Sequence, residues 1–211
     1  MELFNRYFRY WACVLMTAVL AGCAFGTREA TLIYPPTSDG DAKVAPDKVA
    51  KPEPREPKIQ LLQFRDERTE KNLVGTVRNG YGMRTADVIA KNSVTEWVTQ
   101  ALKLELQSRG FTVVTGAPKE GGEAGTIVIS GEILNVFCDM YFSYTGQVSL
   151  VVKVSNSAGE LYRRHYAGEG SAGLAFAMTA ESFAQSLSLA LSSAIKKFVG
   201  DLEEKLGPPK E

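Results

Sequence analysis

The sequence predicts an α+β domain, an antiparallel sheet of about five strands with two helices packed on one face, in the order strand, helix, four strands, helix. Three observations predict it. Tyr144, Gly146, Val148, Leu150, Val152 and Val154 alternate with Thr145, Gln147, Ser149 and Lys153, the period-two signature of a half-buried antiparallel strand. Val94, Trp97, Val98, Ala101, Leu102 and Leu106 recur at helical spacing, and so do Phe183, Leu187, Leu191, Ala194, Phe198 and Leu202. Two apolar stripes of this kind require a sheet to cover them.

Taken in order, residues 59–64 form a short apolar strand that runs into the charged stretch Arg65-Asp66-Glu67-Arg68. Asp66 and Arg68 there read as a strand-end ion pair. Residues 72–91 are rich in turn chemistry (Gly75, Asn79, Gly80, Gly82) and read as a long structured loop. Ser93-Val94-Thr95-Glu96 is a capping box that starts the first helix, and Gly110 occupies the position of a left-handed C-terminal cap. Residues 111–115 return as a strand, and 116–125 are turn chemistry. In 126–138, Ile127, Ile129 and Ile133 share one face whereas Leu134, Val136 and Cys138 share the other, so a bulge or two-sided burial is expected near Ile133. The alternating strand at 144–154 turns at Asn156-Ser157-Ala158-Gly159 and pairs with 161–171. Residues 172–178 are a small-residue apolar connection carrying Leu174, Phe176 and Met178, read either as a buried crossover or as an exposed apolar edge. Thr179 then caps a long helix that reaches Leu206.

The N-terminus is a separate matter. Arg6 and Arg9 precede the apolar run 11–20, which is too short to span a bilayer and reads as a secretory signal over residues 1–22. Leu20-Ala21-Gly22-Cys23 resembles the lipobox of bacterial lipoproteins. The resemblance implies that Cys23 becomes the new N-terminus and carries a thioether-linked diacylglycerol and an amide-linked acyl chain. Each buried methylene adds about 0.8 kcal/mol, so several chains hold the protein where one would not. Ala24, standing where an Asp signals inner-membrane retention in enterobacteria, implies the periplasmic face of the outer membrane. Six of the nine prolines (Pro35, Pro36, Pro46, Pro52, Pro54, Pro57) fall in a polar stretch, so residues 23–57 read as a lipidated cysteine followed by a tether. Residues 31–34 are apolar enough to add an edge strand. Otherwise the tether lets the domain, 58–206 with a tail at 207–211, work up to roughly 100 Å from the lipid surface.

Composition excludes several classes of function. Without residues 1–22, which hold Glu2, Arg6 and Arg9, the net charge is about minus one, which gives no footprint for nucleic acid. Cys138 is the one thiol left beside the lipidated Cys23, so no intramolecular disulfide is expected, and it reads as a small buried apolar residue. His165 is the only histidine, and Asp66, Glu67, Asp139 and Glu169 have no ligand spacing, so no metal site is expected. The sequence has no Gly-x-Ser-x-Gly elbow and no phosphate-binding Gly-x-x-x-x-Gly-Lys motif; Gly80-Tyr81-Gly82 lacks the third glycine of a dinucleotide loop. The expectation is a non-enzyme without cofactors.

Several local patterns resemble the YajG-like lipoproteins of Gram-negative bacteria: the lipobox, Asp66-Glu67-Arg68, Arg78-Asn79-Gly80-Tyr81-Gly82-Met83 with Thr85-Ala86-Asp87, the Trp97-Val98 helix, Leu106 to Gly110-Phe111, the long hairpin and the last helix. The resemblance covers nearly the whole mature domain and implies location and fold better than activity. More distantly the architecture is similar to the TolB-N-terminal-like fold and to auxiliary lipoproteins of ABC-type lipid transport systems. Two functions are therefore carried forward. One is a lipid-anchored lipoprotein that binds another envelope component, protein or lipid, through Asn79, Gly80, Tyr81, Gly82, Leu174 and Phe176. The other is a lipid-transport auxiliary that holds acyl chains between sheet and helices.

Overall fold

The structure, a computed structural model, describes residues 26–35, 54–116, 125–174 and 179–207. Eleven elements follow in the order β1 (Gly26–Ala30), β2 (Arg55–Leu61), β3 (Arg65–Asp66), β4 (Leu73–Arg78), β5 (Arg84–Ala90), α1 (Val94–Ser108), β6 (Phe111–Thr115), β7 (Thr126–Met140), β8 (Ser143–Asn156), β9 (Gly159–Leu174) and α2 (Ala180–Leu206). The class is α+β as predicted, but the sheet is not. It has nine strands instead of about five, and it is mixed, not antiparallel.

The long strand β7 explains the difference. One edge of β7 carries β8 and then β9 as the expected antiparallel meander. Its other edge receives three short parallel partners in succession: β2 opposite 126–129, β3 opposite 132–133 and β4 opposite 138–140. β6 adds in parallel to β2, β5 antiparallel to β4, and β1 in parallel to β5. Parallel partners are distant in sequence, and a strand buried on both faces leaves no local alternation to read. β4 is such a case, with Val74, Gly75, Thr76 and Val77 buried in succession.

The expected bulge in β7 is present, as a register shift between Ile133 and Asn135. Ile127, Ile129 and Ile133 are buried before it and Val136, Cys138 and Met140 after it, so the inserted residue moves the core face from odd to even positions. Leu134, at the shift, is turned to solvent.

Both helices begin as the sequence specifies. Ser93 Oγ accepts the Glu96 amide at 3.2 Å and Thr179 Oγ1 accepts the Ser182 amide at 3.2 Å. Gly110, just past α1, has φ 89°. α2 lies across β8 and β9 and also touches α1. Its Phe183 and Phe198 meet Tyr144 and Tyr166 edge-on, with ring centroids 5.1 and 5.5 Å apart. The approach is close because β9 has no side chain where α2 crosses it. A Cβ on Gly168 would lie 2.0 Å from the Ala190 carbonyl oxygen, and one on Gly170 2.5 Å from the Ala190 nitrogen.

The N-terminal segment belongs to this fold. Beyond β1, Leu32 and Tyr34 are buried. Asn92 clamps Leu32 from both sides, accepting its amide at 2.8 Å and donating to its carbonyl at 3.0 Å. Tyr34 donates to the buried Glu105 of α1 at 2.7 Å, and Ser188 of α2 donates to the Ile33 carbonyl. Residues 26–35 are therefore no part of a tether. The strand that joins the sheet is Gly26–Ala30, just before the apolar residues 31–34.

Candidate functional site

The polypeptide makes two tight turns at one end of the sheet. In the β4–β5 turn, Asn79 organises the backbone: its Oδ1 accepts the amides of Tyr81 and Met83, both at 3.0 Å, and its own amide donates to the Met83 carbonyl at 2.9 Å. Gly82, at φ 81°, closes the turn by donating its amide N–H to the Asn79 carbonyl at 2.8 Å. With the backbone satisfied internally, Tyr81 is left 90% exposed and Met83 59% exposed.

The β7–β8 turn is Tyr141-Phe142. Two-residue hairpin turns favour glycine and asparagine, so two aromatic residues here are unusual. Phe142 is 64% exposed and its ring lies 4.0 Å from that of Tyr141. Tyr141 donates to the Gly80 carbonyl at 3.2 Å, which ties the two turns together. Beneath them Arg78 makes a forked contact with Asp139 at 2.9 and 3.0 Å and also donates to the Gly82 carbonyl at 3.1 Å. Arg84 pairs with Asp87. The base of this end is thus charge-balanced and its tip is apolar.

Of the six partner-binding residues named from sequence, Asn79, Gly80, Tyr81 and Gly82 form the first turn. Leu174 ends β9 opposite Ser143, which places its backbone at the same end. Phe176 lies outside the described residues, as do Cys23 and Met178. Met83, Tyr141 and Phe142 went unrecognised in the sequence; the signal that could have found them is the Tyr-Phe pair at a turn flanked by two strands.

β1 also starts at this end. Gly26 pairs with Ala86 and runs parallel to β5, so the chain enters the fold beside the β4–β5 turn. Further along, residues Glu29, Thr31, Ile33 and Pro35 face Ala184, Ser188, Leu189 and their neighbours on α2 across an open groove of about 660 Å³. Ile33 and Leu189 are both exposed there.

The remaining candidates resolve into structural roles. Arg68 and Asp66 do form an ion pair, at 2.8 Å, but a buried one, with side chains 5% and 12% exposed. Arg68 also donates to the carbonyls of Lys71, Leu73 and Val136, which fixes the β3–β4 connection against β7. Burial raises the Asp66 pKa, but hydrogen bonds and charge from Arg68 outweigh it and leave the carboxyl below its ordinary value. Cys138 is fully buried, and that burial pushes its thiol up to about 11. His165 is an exposed residue of β9 hydrogen-bonded to Ser149. Among the described residues no group of three His, Cys, Asp or Glu side chains is placed to hold a metal ion, and no helix is long and apolar enough to cross a membrane.

A family model described as an uncharacterized lipoprotein matches residues 51–204. The chain belongs to this bacterial lipoprotein family. No curated protein matches the lipoprotein's sequence. Among solved structures, protein XCC0632 of Xanthomonas campestris, of the DUF330 family, shares its fold with 10% identity and a TM-score of 0.51, over 83% of this chain and 92% of that one. A second, described as an uncharacterized protein, covers 72% of this chain and 96% of its own at 6% identity and a TM-score of 0.50. The hypothetical protein CT253 of Chlamydia trachomatis is also similar, with 10% identity, a TM-score of 0.46, and coverage of 70% and 97%.

Proposed function

We propose that this lipoprotein is a non-catalytic protein of the outer membrane, anchored at the periplasmic face through acylated Cys23, whose folded domain binds another component of the cell envelope. Membership of a lipoprotein family and the Leu-Ala-Gly-Cys sequence at 20–23 support the anchor. The contact surface on this reading is the hairpin end with Asn79, Gly80, Tyr81 and Gly82, together with Leu174 and Phe176. The observation that carries it is the exposure of Tyr81 on a turn whose backbone is rigidly satisfied. A rigid turn with an exposed aromatic residue presents contact area at little entropic cost.

Intact-mass measurement of protein extracted from separated inner and outer membranes tests the anchor. The expected result is an acylated species that begins at Cys23 in the outer-membrane fraction; an unmodified cysteine with the leader attached overturns it. Crosslinking in intact envelopes, with Tyr81→Ala and Phe176→Ala as the comparison, tests the surface, and unchanged adducts remove it.

A second reading, an auxiliary of lipid transport that holds acyl chains, is favoured by the groove between residues 29–35 and α2. Leu187, Leu191, Ile195 and Phe198 are buried between α2 and the sheet, so on this reading an apolar ligand would lie in the groove. Native mass spectrometry that finds no co-purified lipid counts against it.

A further inference from the structure

Cys23 and Gly26 are separated by only Ala24 and Phe25. Whatever path those residues take, three trans peptide links of 3.80 Å hold the Cys23 Cα within about 11 Å of the Gly26 Cα. Gly26 in turn is fixed in the sheet, opposite Ala86. A lipid anchor on Cys23 therefore cannot let the domain drift tens of ångströms away. It must hold the bilayer against the end of the sheet where β1 begins.

That end carries the two turns. Tyr81, Met83, Tyr141 and Phe142 are all exposed, and they sit on adjacent turns joined by the Tyr141–Gly80 hydrogen bond. Tyrosine, with an apolar ring and a hydroxyl that stays wet, suits the boundary between headgroups and acyl chains, and Phe142 and Met83 add purely apolar contact. Arg78 and Arg84, at the base, are each paired with an aspartate, so the attraction is apolar contact and not net positive charge. We propose that the β4–β5 and β7–β8 turns form a second membrane contact, inserted into the bilayer surface beside the acylated Cys23. This rests on the lipid-anchor reading above, and it names the bilayer as the partner of the hairpin end. The two contacts together fix the orientation of the domain: the β8–β9 turn, 13 residues along β8 from Ser143, points away from the membrane at a height of roughly 40 Å.

Site-specific labelling of the mature lipoprotein tests this. Gly80→Cys places a fluorophore at the tip without touching the aromatic residues, since a Cβ there meets nothing within 4 Å. Ala158→Cys, exposed in the β8–β9 turn, serves as the distal control. Cys138 is buried and does not compete for the label. In vesicles of phosphatidylethanolamine and phosphatidylglycerol containing nitroxide lipid, the expected result is several-fold quenching at position 80 and none at 158, unchanged by added salt. Replacing Tyr81 and Phe142 by serine should abolish most of the quenching while the protein still floats with the vesicles.

Flotation with an aqueous label at position 80 overturns the turn contact and leaves the anchor intact. Equal quenching in the double-serine variant also overturns it, because those side chains would then contribute nothing. Shielding at position 80 that vanishes on diluting the protein in the vesicle would assign the surface to a second copy. Failure of the wild type to float, with an unmodified Cys23 by mass, would remove the anchor reading and this one with it.

Discussion

Arg68 holds three strands at a single point, because one guanidinium satisfies the Asp66 carboxylate and carbonyls from Lys71, Leu73 and Val136. Removing one member of a buried pair strands the other, at a cost of about 3–5 kcal/mol. Arg68→Ala should therefore lower the unfolding free energy by about 3–5 kcal/mol, read from urea titration, without changing the secondary structure seen by circular dichroism. The pair also sets a pH dependence. Since the folded-state pKa of Asp66 lies below its ordinary value, its contribution is complete above the unfolded pKa near 4 and is lost as pH falls through the lower folded value. Urea titrations at descending pH should show this loss in the wild type and a flatter profile in Asp66→Asn. The sequence showed the ion pair but not its worth: the burial that makes it matter comes from β4 and β7, whose carbonyls at Leu73 and Val136 lie 5 and 68 residues further along.

At the scale of elements, what was legible depended on whether the pairing partner was close in sequence. The capped helices, the bulge at 133–135 and the β8–β9 hairpin are all local patterns, and all are in the structure. The β4–β5 hairpin read as a loop because Gly75 and the turn glycines interrupt its apolar run, and because β4 is buried on both faces. Gly75 is there for packing: a Cβ would meet the Cys138 carbonyl at 2.5 Å. β9 repeats this device at Gly168 and Gly170. Gly168→Ala should cost about 3 kcal/mol, at or above the upper end of ordinary overpacking, because the obstructing atom is helix backbone that cannot rotate away. Gly80→Ala, with open space around its Cβ, should stay within about 0.5 kcal/mol of wild type. Thermal melts of the two variants side by side separate a glycine required for packing from one that merely occupies a turn.

For the whole molecule, the decisive fact is where the chain enters the fold. Read as a sequence, the proline-rich stretch looks like a spacer between lipid and domain, since nothing local marks Gly26–Ala30 as a strand; its first four residues are exposed and its partner β5 lies more than 50 residues away. In the structure residues 26–35 are fastened by Asn92, Glu105 and Ser188, so the stretch 36–53 connects two points of one domain and does not set its height. The two arrangements respond differently to added length. Eight Gly-Ser residues inserted after Gly40 lengthen an internal loop at an entropic cost of well under about 1 kcal/mol, and should leave both vesicle quenching at position 80 and stability as they are. The same eight inserted after Ala24 lengthen the only link between Cys23 and β1. They relax the limit that presses the turns against the bilayer, so quenching at position 80 should fall. A spacer at 36–53 predicts that the first insertion raises the domain as much as the second, and equal losses of quenching from the two would restore it.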